Sequence, residues 1–107
     1  MKIIFAIVNN DDSSDVMKAL NNEHISATKL ASTGGFLMKG NTTIISGVED
    51  DVVDKTIELI KKHSKKRTQI MPVDYTYYNP GIASYPVEIT VGGATIFVVD
   101  VERFEKA

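Results

Sequence analysis

Only two stretches of this chain repeat their apolar residues at helical spacing, and the runs around them are too short and too β-branched for anything but strands. The clearer helix has Val52, Val53, Thr56, Ile57 and Ile60 on one face, with Asp51–Lys55 and Glu58–Lys62 as i, i+4 pairs in the favourable order, and is predicted from about Glu49 to His63. The other is capped by Asn10, Asp11, Asp12 or Ser13, turns Val16, Ala19 and Leu20 inward, and ends near Asn22. Strands are predicted over residues 2–8, Ile25–Ala31, Thr42–Ser46, Gln69–Val73, Val87–Val91 and Ala94–Val101, the last two joined by Gly92-Gly93 as a tight turn. The order is that of an α+β, ferredoxin-like β-α-β-β-α-β antiparallel sheet with an additional hairpin before the last strand. Two helices cover one face of such a sheet, which leaves residues such as Ile4, Ile44 or Phe97 without a roof. Association of identical subunits would supply one.

A chain of 107 residues suits one domain, 1–107, and 43% hydrophobic with 24% charged residues is ordinary for a globular protein. No apolar run reaches membrane-spanning length, so no membrane insertion is expected. Met1-Lys2-Ile3-Ile4-Phe5-Ala6-Ile7-Val8 mimics a signal peptide, yet its apolar part is too short and runs into Asn9-Asn10-Asp11-Asp12 without a cleavage site. The absence of cysteine removes disulfides, thiolate nucleophiles and zinc–thiolate sites, and fits a cytoplasmic address. A formal charge of −2 argues against a nucleic-acid polymer as partner, because such binding needs many cations against phosphates. The basic run Lys61-Lys62-His63-Ser64-Lys65-Lys66-Arg67 closes a helix that opens on Glu49-Asp50-Asp51, so it reads as charge complementing the helix dipole.

Catalytic constellations are incomplete. Asp11, Asp12, Asp15, Glu49, Asp50, Asp51 and Asp54 all fall in first turns of helices, where negative charge is expected without catalysis. Asp100 and Glu102 lack a His or Lys partner in sequence, and the two histidines, His24 and His63, show no ligand spacing, so no metal site is expected. Gly34-Gly35 has neither the later glycine and lysine of a P-loop nor the crossover of a dinucleotide-binding unit.

What stands out is Ala27-Thr28-Lys29-Leu30-Ala31-Ser32-Thr33-Gly34-Gly35-Phe36-Leu37-Met38-Lys39-Gly40-Asn41-Thr42-Thr43, the densest cluster of glycine, hydroxyl and amide groups in the chain. Adjacent glycines bring backbone N–H groups close to an anion, and Phe36 offers a face to a planar base. The residues alone leave two readings open, a ligand site or a solvated hairpin. The loop 73–85 holds all four tyrosines and the turn Asn79-Pro80-Gly81. Its rings either stack on a base or a partner, or fasten the loop to its own domain.

That glycine-rich segment, followed by Tyr85-Pro86-Val87-Glu88-Ile89-Thr90-Val91-Gly92-Gly93-Ala94-Thr95-Ile96-Phe97-Val98, resembles the PII-like cyclic di-AMP receptor proteins of Gram-positive bacteria. The resemblance covers nearly the whole chain and is thinnest between Gln69 and Ser84. It implies a PII-like homotrimer with sheets facing inward, no catalysis, and cyclic di-AMP held in clefts between subunits. By the same resemblance Ala27 and Thr28 would hydrogen-bond adenine, Gly35, Phe36 and Leu37 would close over base and ribose, Asn41 would reach a phosphate or ribose oxygen, Gly47 would offer backbone, and Phe97 would pack on a base. Three positions depart from the pattern: Ser26 stands where those receptors usually carry arginine, His24 where they carry asparagine, and Lys106 near where they carry glutamine. An arginine at 26 would make charge-assisted hydrogen bonds, and their loss costs roughly 1.5–3 kcal/mol, similar to the ~1–3 kcal/mol of one aromatic ring stacked on a base.

The expectation is therefore a signal-transduction protein that binds cyclic di-AMP, uses no cofactor, and reports occupancy to an unknown downstream protein by ordering loops 33–41 and 73–85. The alternatives are a small phosphometabolite-handling enzyme, or a structural trimer whose loops bind a protein partner without a nucleotide. A PII response to ATP and 2-oxoglutarate lacks a matching arginine- and glycine-rich phosphate segment.

Overall fold

Strand β1 (Lys2–Asn9) buries Ile4, Ala6 and Val8 and turns Ile3, Phe5 and Ile7 the other way, so both of its faces are apolar while only one is covered. The computed structural model describes residues 1–30, 40–73 and 85–107, with the backbone alone for 69–73 and 85–88. After β1 come helix α1 (Asn10–Asn22), β2 (Thr28–Leu30), β3 (Asn41–Val48), a 3-10 turn (Asp50–Val52), helix α2 (Val53–His63), β4 (Arg67–Val73), β5 (Tyr85–Val91) and β6 (Ala94–Asp100). Four strands form one antiparallel sheet in the order β2-β3-β1-β6, and β4 pairs with β5 as a separate two-stranded sheet. An antiparallel sheet with two helices agrees with the α+β, ferredoxin-like expectation.

The core lies between sheet and helices. Ile4, Ala6 and Val8 of β1 meet Ile44 and Val48 of β3, Val16 and Leu20 of α1, and Ile60 of α2 in one buried cluster. This corrects the expectation for Ile4 and Ile44, each only 1% exposed: with Ala6 and Val8 they are among the best-covered residues of the sheet. Strand parity decides the matter, because a shift of one residue moves a side chain to the opposite face. In register, Phe5 stands opposite Ile45 on one side and Phe97 on the other, and Ile3 lies opposite Gly47 and Val99. Ile3, Phe5, Ile7, Ile45, Phe97 and Val99 therefore share the face without helices, where Phe97 and Val99 are exposed.

Helix ends differ from expectation in instructive ways. Asn9, one residue earlier than predicted, caps α1 by accepting the Asp11 N–H at 2.8 Å. Asp12, expected as first-turn charge, is buried and accepts two hydrogen bonds from the guanidinium of Arg67, at 2.8 and 3.2 Å. Lys55 reaches across to Glu23 of the other helix at 2.7 Å rather than to Asp51, and that contact holds the Glu23 carboxyl below its ordinary range.

Gly92-Gly93 is not a turn between paired strands, since β5 pairs with β4 and β6 with β1. It is a corner between two sheets, with φ of +85° and +84°. The Gly93 N–H donates to the Ser64 carbonyl at the end of α2. A Cβ at Gly92 would come within 2.5 Å of the Lys65 carbonyl and 2.7 Å of Arg67 Nη1, the guanidinium that holds Asp12.

Two outcomes follow for unfolding by denaturant. Ile4→Ala is expected to lower stability by about 2–5 kcal/mol, the range for truncating a buried isoleucine. Gly92→Ala should exceed the ~1–2 kcal/mol of a left-handed alanine, because the Arg67–Asp12 contact must also shift.

Candidate functional site

The segment after α1 is set by how that helix ends. Its C-terminus closes with the His24 N–H on the Asn21 carbonyl at 3.0 Å and the Ile25 N–H on the Leu20 carbonyl at 2.9 Å, the pattern that needs a left-handed residue at the first of these positions. That residue is His24, at φ +59°, and Ile25 tucks into the core beside Leu20. Asparagine tolerates this conformation better than most residues, which gives a backbone reason for the asparagine that the resemblance expects here. The buried Ser46 hydroxyl then donates to the Ser26 carbonyl at 2.6 Å, pinning residues 26–28 alongside β3.

On the other side of β1, the Val101 N–H donates to the Met1 carbonyl at 3.2 Å, and Lys2 pairs with Asp100. These contacts carry the C-terminal segment past the same end of the sheet. Between the two segments lies a cleft of about 330 Å³. Ile3, Ile45 and Gly47 form its floor, Ser26, Ala27 and Thr28 border it from the β2 side, and Val101, Arg103 and Phe104 from the β6 side. A Cβ on Gly47 would meet nothing nearer than Met1 Cε at 3.9 Å, so within the chain this glycine leaves open space above the strand.

The cleft thus gathers Ala27, Thr28, Gly47 and Ser26 of the expected site. Asn41 is elsewhere. It opens β3 opposite Asn9, with Ile7, Thr95, Lys66 and Gly92-Gly93 around a second depression of about 380 Å³. Gly47 lies six positions further along the strand, about 20 Å at 3.3–3.4 Å per residue. Phe97 sits midway on β6, on the same helix-free face. His24 and Lys106 are exposed, and neither is among the described residues lining the cleft. Gly35, Phe36 and Leu37, like most of loops 33–41 and 73–85, lie outside the described residues.

Sequence reasoning missed Met1, Ile3, Ile45, Val101, Arg103 and Phe104. Ile3 and Ile45 could have been found from strand parity, once the buried face was assigned to the even-numbered residues of β1. Nothing in the spacing of the C-terminal residues marks Arg103, because the chain there follows no regular period.

Among the described residues no group of three or more His, Cys, Asp or Glu is placed to hold a metal ion, and no helix is long and apolar enough to cross a membrane. The arrangement is that of an α+β protein with a cleft at one end of an uncovered sheet face. The family model for cyclic-di-AMP receptors matches residues 1–107, and the chain belongs to that family. Among solved structures it is similar to a protein from Pediococcus pentosaceus described as functionally unknown, with 37% identity, a TM-score of 0.77, and coverage of 99% of this chain and 96% of that one.

His24→Gly should raise stability to denaturant by about 1 kcal/mol, since it relieves a left-handed backbone at a position whose side chain is exposed. An unchanged or lower stability would assign the imidazole a contact of its own.

Proposed function

We propose that this chain is a non-enzymatic, cytoplasmic signal-transduction protein, a single PII-like domain over 1–107, that binds cyclic di-AMP in clefts between the subunits of a homotrimer. The observation that carries the reading is the family match over the whole chain, and the geometry supports an intersubunit site. Ala27, Thr28 and Gly47 stand at one end of the helix-free face and Asn41 at the other, so one subunit alone cannot close both around a small ligand. Packing three such faces together would bury Ile3, Phe5, Ile7, Ile45 and Val99, and would bring the cleft of one subunit against the sheet of the next.

In this reading Ala27 and Thr28 present hydrogen-bonding groups to an adenine edge, Gly47 admits the ring against bare backbone, and Phe97 of a neighbouring subunit packs on its apolar side. Phe36, Gly35 and Leu37 close over the base, and Asn41 reaches the sugar–phosphate. Ligand contact orders loops 33–41 and 73–85, which a downstream protein then reads. The engagement of two carboxylates in ion pairs supports the same view: Asp12 holds Arg67, and Glu23 holds Lys55.

Calorimetry on the intact oligomer is expected to give saturable heat with cyclic di-AMP at one ligand per subunit. Phe36→Ala and Asn41→Ala should each weaken binding about tenfold or more without dissociating the oligomer. Phe5→Asp, which puts a charge at the centre of the uncovered face, should yield folded subunits that no longer associate and no longer bind. Absence of heat with wild-type protein at high ligand concentration overturns the reading, and turnover of a phosphorylated metabolite would replace it with the enzyme alternative.

A further inference from the structure

Resting on the receptor reading, we infer that Arg103 supplies the cleft's phosphate-binding cation. Among the described residues lining the cleft it is the one with a charged side chain; Met1 lines it too, but its α-ammonium is held by the Asp50 carboxylate at 2.9 Å, and the rest are apolar or neutral: Ile3, Ile45 and Gly47 below, Ser26 and Thr28 opposite. A phosphodiester brought into such a place needs a counter-charge that keeps its proton there and gives up its hydration at low cost. Guanidinium meets both conditions, and its fork matches two phosphate oxygens.

Arg103 is also free to change partners. Its Nη2 holds the Glu105 carboxylate at 2.7 Å, with the two side chains 79% and 71% exposed. A pair so open to water and so close in sequence contributes little and is screened by salt, so exchanging carboxylate for phosphate meets a small barrier. The backbone is held where the exchange needs it: the Val101 N–H is tied to Met1 two residues earlier, while Arg103 itself lies beyond the last strand with no ladder to break. Position 26, on the β2 side of the same cleft, carries a hydroxymethyl group that brings no charge. The geometry thus moves the cation from the β2 side of the pocket to the β6 side, where Phe104 adds an exposed aromatic face beside it.

The test is a titration of wild-type, Arg103→Gln, Arg103→Lys and Glu105→Gln oligomers with cyclic di-AMP at several salt concentrations. Arg103→Gln is expected to weaken binding tenfold or more and to flatten the dependence of affinity on salt, with an unchanged melting temperature because the side chain is exposed. Arg103→Lys should fall between, keeping the charge and losing the fork. Glu105→Gln should tighten binding about two- to fivefold by removing the competing carboxylate. Wild-type-like affinity and salt dependence in Arg103→Gln would overturn the role of Arg103 while leaving the receptor reading intact. No binding by the wild-type protein would overturn both.

Discussion

The arrangement depends on one strand that is apolar on both sides and roofed on one. β1 sends Ile4, Ala6 and Val8 into the helices and leaves Ile3, Phe5 and Ile7 facing away from them, and its two neighbours continue each face in register. Burying the first set is what folds the chain. The second set leaves an apolar surface of a kind that rarely stays wet, and the candidate cleft opens at its edge. Fold and site are linked through this strand, because the residues that floor the cleft, Ile3 and Ile45, belong to the face the helices do not reach.

A second constraint ties the β4–β5 hairpin to the rest. The carboxylate of Asp12, buried at the start of α1, is joined to Arg67 at the start of β4, and Gly92 at the end of β5 lies against both. That contact, above all its hydrogen bond, holds the Arg67 guanidinium more firmly protonated than usual. The corner explains why two adjacent glycines stand there: left-handed backbone and lack of space for a side chain coincide at Gly92. In sequence this pair resembles a hairpin turn, and only the pairing partners of β5 and β6 distinguish a turn from a corner.

Much of the molecule was legible from local pattern. The periodicity of Val52, Val53, Ile57 and Ile60 and the Ile/Val-rich run at the start carried enough signal to place α2 and β1, because period and length are properties of the segment itself. Strand parity was less accessible. Ile4 and Ile44 are as apolar as Ile3 and Ile45, and a strand apolar on both faces does not reveal which side the helices take. The cap at Asn9 and the partner of Lys55 were misplaced by one residue and by one helix, since several acceptors within reach compete and packing chooses among them. For the site, Ala27, Thr28 and Gly47 did come together, whereas Asn41 and Phe97 share only their face of the sheet.

By itself the sequence determined the kinds of element, their order, and the neutral, glycine-rich chemistry of the segment around β2, because these depend on residue type and spacing along the chain. The three-dimensional arrangement decided which apolar face is buried, that Asp12 holds a distant arginine, and that Arg103 borders the same cleft as Ser26. Each of those is a contact between residues far apart in sequence, set by strand register and by the path of irregular backbone, and neither quantity is encoded in any one segment.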